Sequence, residues 1–116
     1  MDLRTLSDDV EAVSAGYAHR FEIDRTAEWL MLKLSEEVGE LTQAFLKLTG
    51  QARTSATADE LRARFGAELA DVLCHAVLLA RHHDVDLDAA IAAKWLVWKQ
   101  PGPEQTPGTA DVGARP

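Results

Sequence analysis

Apolar residues recur at intervals of three and four along most of the first hundred positions, the spacing that lines one side of an α-helix, and no run alternates as a strand would. The clearest stripe is Ala27, Leu30, Leu34, Val38, Leu41, Phe45 and Leu48. It predicts a helix over residues 26–48 with Glu28 in its first turn, closed by Thr49-Gly50, where glycine accepts left-handed geometry. An earlier helix is predicted over residues 6–19, with Ser7-Asp8-Asp9 near its start to serve the unpaired N–H groups, and a break at 21–25 separates the two. The polar stretch 50–57 leads to a third helix, capped by Thr57 or Asp59 and ending near His82. From Leu69 to Ala80 only Asp71, Cys74 and His75 interrupt its apolar residues, so it is expected to be central and enclosed on most sides. A loop at 83–87 precedes a fourth helix over 88–98. All four prolines lie at 101, 103, 107 and 116, among Gly102, Gly108 and Gly113, so residues 100–116 read as a flexible, disordered tail. The expected architecture is all-α, with four helices over residues 1–99.

Composition narrows what such a domain can do. A chain of 116 residues has room for one small domain, not for separate binding and catalytic domains. Its net charge of −7 argues against sequence-independent nucleic-acid binding, which needs lysine and arginine to neutralise phosphates; a polyanionic substrate would need a cation as intermediary. The single cysteine, Cys74, sits in an apolar segment and cannot form an internal disulfide, which suits a reducing compartment. The start, Met-Asp-Leu-Arg-Thr, lacks the order of a signal peptide, and no apolar run approaches the roughly 20 residues that span a bilayer. A cytoplasmic location without membrane attachment is therefore expected.

Charge becomes informative through its placement. With Leu34 at the centre of the second helix's stripe, Glu37 lies roughly 60° away and Glu40 roughly 120°, both on one side, while Glu36 at roughly 160° looks outward. On the third helix, centred on Leu69, Glu68 lies roughly 100° and Asp71 roughly 160° away, again on one flank with His75 between them. Antiparallel packing through the stripes, which a short loop favours, lets these flanks face each other and gather four carboxylates. Either motif alone reads equally as a solvated face; Asp71, however, interrupts a long apolar run. Gathered carboxylates repel, and a hard divalent cation, Mg²⁺ or alternatively Mn²⁺, neutralises them while keeping positions open for water and phosphates. Such a site suits hydrolysis of phosphate esters or anhydrides.

Other residues read in two ways. Trp29 and Lys33 share the flank of the acid pair and are candidates for a base and a phosphate, although aromatic residues at helical spacing also serve packing. His75, one turn after Asp71, either reaches the site or is a satisfied core histidine; His19 and Phe21 are further candidates for a base pocket. Gly39 costs about 1 kcal/mol against alanine in mid-helix and invites a close approach as its reason. The His83-Asp84 dipeptide of another helical metal phosphohydrolase class is explained by its helix C-terminus. Diiron chemistry needs Glu-x-x-His pairs, absent here, and no Gly-x-Ser-x-Gly run supports a nucleophilic hydrolase.

The combined pattern, Ser35-Glu36-Glu37-Val38-Gly39-Glu40-Leu41 followed by Glu68-Leu69-Ala70-Asp71-Val72-Leu73, resembles the all-α nucleotide pyrophosphohydrolases that include MazG and the dCTP and dUTP pyrophosphatases. With Asp86-Leu87 and Lys94 the resemblance covers roughly residues 26–99. It implies conversion of a nucleoside triphosphate to the monophosphate and pyrophosphate, as nucleotide-pool house-cleaning, with Mg²⁺ held by Glu37, Glu40, Glu68 and Asp71. It also implies that Glu36 positions or deprotonates the attacking water, that Lys94 meets substrate phosphates, and that chains pair as homodimers or homotetramers whose neighbours complete the pocket. Trp98 stands where the family has asparagine and Lys99 where it has arginine. That departure keeps open an inactive oligomerisation or regulatory module, with Trp95 and Trp98 as its contact.

Overall fold

The computed structural model describes residues 2–99, so the expected tail at 100–116 lies outside the described residues. The described residues form α1 (Leu3–Arg20), α2 (Ala27–Leu48), α3 (Ala58–His82), α4 (Leu87–Lys94) and a 3-10 turn (Leu96–Trp98), with no strand among them. Each α-helix opens on an oxygen side chain that accepts from an otherwise unpaired N–H, an arrangement worth about 1 kcal/mol per helix. The acceptors are Asp2 for Thr5, Thr26 for Trp29, Thr57 for Glu60 and Asp86 for Ala89. Gly50 takes φ of 78° just past α2, the left-handed turn expected there.

Two boundaries differ from the pattern. α1 begins at Leu3 because Asp2 is its cap. Ser7 and Asp8 are thereby left to accept from Arg81 of α3, at 3.1 and 2.7 Å. α4 stops at Lys94 and the chain tightens into the 3-10 turn, with Trp98 N–H donating to the Trp95 carbonyl at 3.0 Å. Trp95, Leu96 and Val97 are exposed there, so little packing holds that segment in α-helical form.

α2 and α3 run antiparallel along each other, as successive cross-helix neighbours show: Phe45 with Phe65, Glu40 with Glu68, Glu37 with His75. The inward face of α2 is Leu30, Glu37 and Ala44, rotated from the stripe centred on Leu34. Val38 and Phe45 are each 44% exposed. α3 is likewise not enclosed on most sides. It buries Leu61, Val77 and Leu78 against its neighbours, whereas Leu69 and Leu73 are about half exposed, at 45% and 51%. The reason is the number of partners: α1 and α2 cover only part of the circumference of α3, and α4 packs chiefly on its own 3-10 turn.

α1 is pinned to this pair by charge at two places. Arg25, in the α1–α2 connection, grips Glu11 through both guanidinium nitrogens at 2.8 and 2.7 Å and also donates to Ser14 at 3.1 Å. Burial of both partners, with side chains 21% and 30% exposed, keeps this fork from full solvent screening. We expect Arg25→Ala to lower the free energy of unfolding by about 1–2 kcal/mol, and Arg25→Lys to recover only part of it because an ammonium cannot form the fork. Urea denaturation measures both; equal stability of all three proteins would show that the fork does not brace α1.

Candidate metal centre

The rotation of α2 brings Glu37 inside, where its side chain is only 9% exposed. Glu40, one turn on, and Glu68 from α3 complete a trio whose carboxylate oxygens lie within 4.8 Å of one another. Glu37 Oε2 and Glu68 Oε2 are buried without a hydrogen-bond partner. Asp71 stands one turn beyond Glu68, outside the trio but close enough for its charge to act on both Glu37 and Glu68. The four carboxylates expected from the sequence thus form three in one tight group and a fourth beside it.

The energetic cost of this arrangement falls on Glu37. Burial, followed by the charges of Glu40 and Asp71, pushes its carboxyl up to about 7. Glu68 is raised by the same causes, burial first and then Glu40 and Asp71. The nearest basic groups offer little relief. His75 Nε2 is 3.9 Å from Glu37 Oε1, too long for a hydrogen bond, and burial followed by the charge of Lys33 lowers the histidine, so its imidazole is neutral at pH 7. Its Nδ1 is buried without a partner. Lys33 Nζ is 3.4 Å from both oxygens of Glu36. Glu36 keeps its outward position, half exposed, but Lys33 links it to the site.

These are the features a hard divalent cation answers: oxygen ligands, orphaned buried oxygens and mutual repulsion that a +2 charge removes. The residues present fit such an ion.

Beside the trio, a cavity of about 560 Å³ lies between α1 and the α2/α3 pair. Its α2 and α3 walls include Trp29, Lys33, Glu37, Asp71 and His75, so the packing brings these five candidates to one hollow. Glu40 and Glu68 do not line it, and Lys94, at the end of α4, lines neither this cavity nor a second one of about 320 Å³ beside Arg81. His19 and Phe21 are exposed and line neither; Phe21 stacks on Tyr17 at 4.7 Å, and it is Tyr17 that faces the cavity. Tyr17, Val13 and Asp9 of the α1 wall were missed by the sequence reasoning. Their spacing of four along one helix was the available signal. The Cys74 thiol also lines the cavity, and burial followed by the charge of Asp71 raises it, which makes it a poor nucleophile. Gly39 meets no neighbour where a Cβ would stand, so within the single chain no close approach explains it.

An all-helical protein with carboxylates gathered from two antiparallel helices is thereby defined, and among its described residues no helix is long and apolar enough to cross a membrane. The family model of the MazG nucleotide pyrophosphohydrolase domain matches residues 25–98, and the chain belongs to that family. No curated protein and no solved structure matches it. The match takes in α2, α3 and α4, and α1 lies before it.

The raised Glu37 has a consequence for stability. Its folded value of about 7 lies above the ordinary 4.5, so the folded state holds a proton that the unfolded state releases between those values. Stability without metal should therefore be fullest below pH 4.5 and fall as pH rises to 7, by on the order of 3 kcal/mol from this group. Thermal melts in chelator are expected to show that decline, Glu37→Gln to flatten it, and Mg²⁺ to raise the melting temperature more at pH 8 than at pH 5. A variant that keeps the full slope would remove Glu37 as its source.

Proposed function

We propose that the chain is a Mg²⁺-dependent nucleoside triphosphate pyrophosphohydrolase acting on the nucleotide pool of the cytoplasm, with Mn²⁺ as an alternative ion. The observation that carries this reading is the trio Glu37, Glu40 and Glu68, with orphaned buried oxygens, placed beside a cavity of nucleotide size. Glu37, Glu40, Glu68 and Asp71 would hold the ion. Bound there, the ion would neutralise charge on the phosphate chain and make the attacking water more acidic.

The chain's own residues then divide the work. Glu36, kept near the cavity by Lys33, accepts a proton from the water that attacks the α-phosphorus; the bond from that phosphorus to the bridging oxygen breaks, and pyrophosphate leaves. Lys33 and, from α4, Lys94 meet the phosphates, Trp29 meets the base, and His75, a neutral imidazole, offers a hydrogen bond without adding charge. Assembly as a homodimer or homotetramer is part of the proposal. It is supported by the exposed Val38, Phe45, Leu69 and Leu73 on the two helices that carry the site, and by an α4 that leaves its own α2/α3 pair largely uncovered.

With Mg²⁺ and a panel of nucleoside triphosphates, pyrophosphate is expected as the first product, and Glu37→Ala or Asp71→Ala should lower kcat/KM at least about 100-fold. Orthophosphate as the first product, or no turnover together with no calorimetric binding of Mg²⁺ and a non-hydrolysable triphosphate, would favour the inactive module instead. Light scattering should return two or four times the 12.7 kDa chain mass. A 12.7 kDa species at micromolar concentration would sink the assembly.

A further inference from the structure

The walls of the cavity differ chemically: α2 and α3 contribute Glu37, Asp71 and Lys33 together with Trp29, and α1 contributes Val13 and Tyr17 beside Asp9. A triphosphate has the same division, since its phosphates need the ion and its base needs flat apolar surface. Val13 and Tyr17 are 75% and 53% exposed, a large apolar surface for one turn of a surface helix that no other described element covers. The helix carrying them is held at two places, by Arg25 on Glu11 and Ser14 and by Arg81 on Asp8 and Ser7, so the wall is positioned before a ligand arrives. At this wall the carboxylate of Asp9 is exposed and makes no hydrogen bond or ion pair within the chain's described residues. A carboxylate accepts hydrogen bonds and donates none. It favours a base edge with an exocyclic amino group, as in cytosine, adenine and guanine, and disfavours the carbonyl-flanked edge of uracil or thymine.

We infer that α1, although outside the family match, is the base-selecting wall of the site: Val13 and Tyr17 receive the nucleobase and Asp9 selects amino-bearing bases. The inference rests on the nucleotide reading above. It assigns Asp9, Val13 and Tyr17 to binding and selectivity, and leaves the ion to α2 and α3.

Two measurements test it and separate its failure from that of the hydrolase reading. In steady-state kinetics with Mg²⁺, kcat/KM for CTP, ATP or GTP is expected to exceed that for UTP at least tenfold. Asp9→Asn, whose amide both donates and accepts, should bring the best of these ratios towards unity while calorimetric Mg²⁺ affinity stays within twofold. Tyr17→Ala should raise KM at least tenfold and Tyr17→Phe should not. The second measurement needs no turnover: in a Trp95→Phe, Trp98→Phe background, quenching of Trp29 fluorescence by nucleoside monophosphates in chelator should weaken at least tenfold in Tyr17→Ala and lose its preference for CMP over UMP in Asp9→Asn. Hydrolysis with base ratios unchanged in Asp9→Asn, or quenching unchanged in Tyr17→Ala, overturns the inference and leaves the hydrolase reading standing. Quenching that behaves as expected in a chain without turnover supports the wall and overturns the hydrolase reading.

Discussion

A glutamate turned into the seam between two helices imposes the condition that the rest of this structure answers. Glu37 occupies an inward position of α2 that packing would ordinarily give to a leucine, as it does at Leu30 one stripe-step before it. Carboxylates on the next turn and on the facing helix surround it, and the charges of Glu40 and Asp71 oppose ionisation of Glu37 and Glu68. A neutral His75 at 3.9 Å and a Lys33 engaged with Glu36 leave that repulsion standing. Such repulsion costs stability, and a divalent cation bound as proposed would offset it.

The same seam decides where a substrate can lie. α2 and α3 present charge along one side of their interface, and α1, braced across it by Arg25 and Arg81, turns that side into a hollow rather than an open surface. The ion pairs at Asp8 and Glu11, about one turn apart on α1, tie this helix to α3 and to the α1–α2 connection. In the proposed reading the helix outside the family match serves recognition and the helices inside it serve the chemistry.

The opposite side of the α2/α3 pair shows how little core a single chain provides. Ala18, Leu30, Ala44, Leu61, Val77 and Leu78 are its buried apolar residues among those described, mostly small or medium in size. Val38, Phe45, Leu69 and Leu73 carry more apolar surface than several of these and remain open to water. Three helices cannot surround a fourth face, and the short α4 with its 3-10 turn does not supply it. The openness of the chain and its proposed assembly therefore share one cause.

Much of this was legible in the amino-acid order alone. Apolar spacing, threonine caps at 26 and 57 and the glycine after α2 determined the helices, because they act over a few residues of backbone. The spacing of Glu37 with Glu40 and of Glu68 with Asp71 placed each pair on one flank, since helical geometry is the same wherever the helix lies. Which flank turned inward was decided by tertiary packing. The stripe of α2 is broad enough to seat in more than one rotation, and contact with α3 selected the one that buries Glu37 and exposes Val38 and Phe45. The pairing of Ser7 and Asp8 with Arg81 likewise depends on a helix some seventy residues away. The cavity wall of Asp9, Val13 and Tyr17 belongs to the same class: a repeat on one helix says that a face exists, and only the docking of α1 on α3 decides what that face encloses.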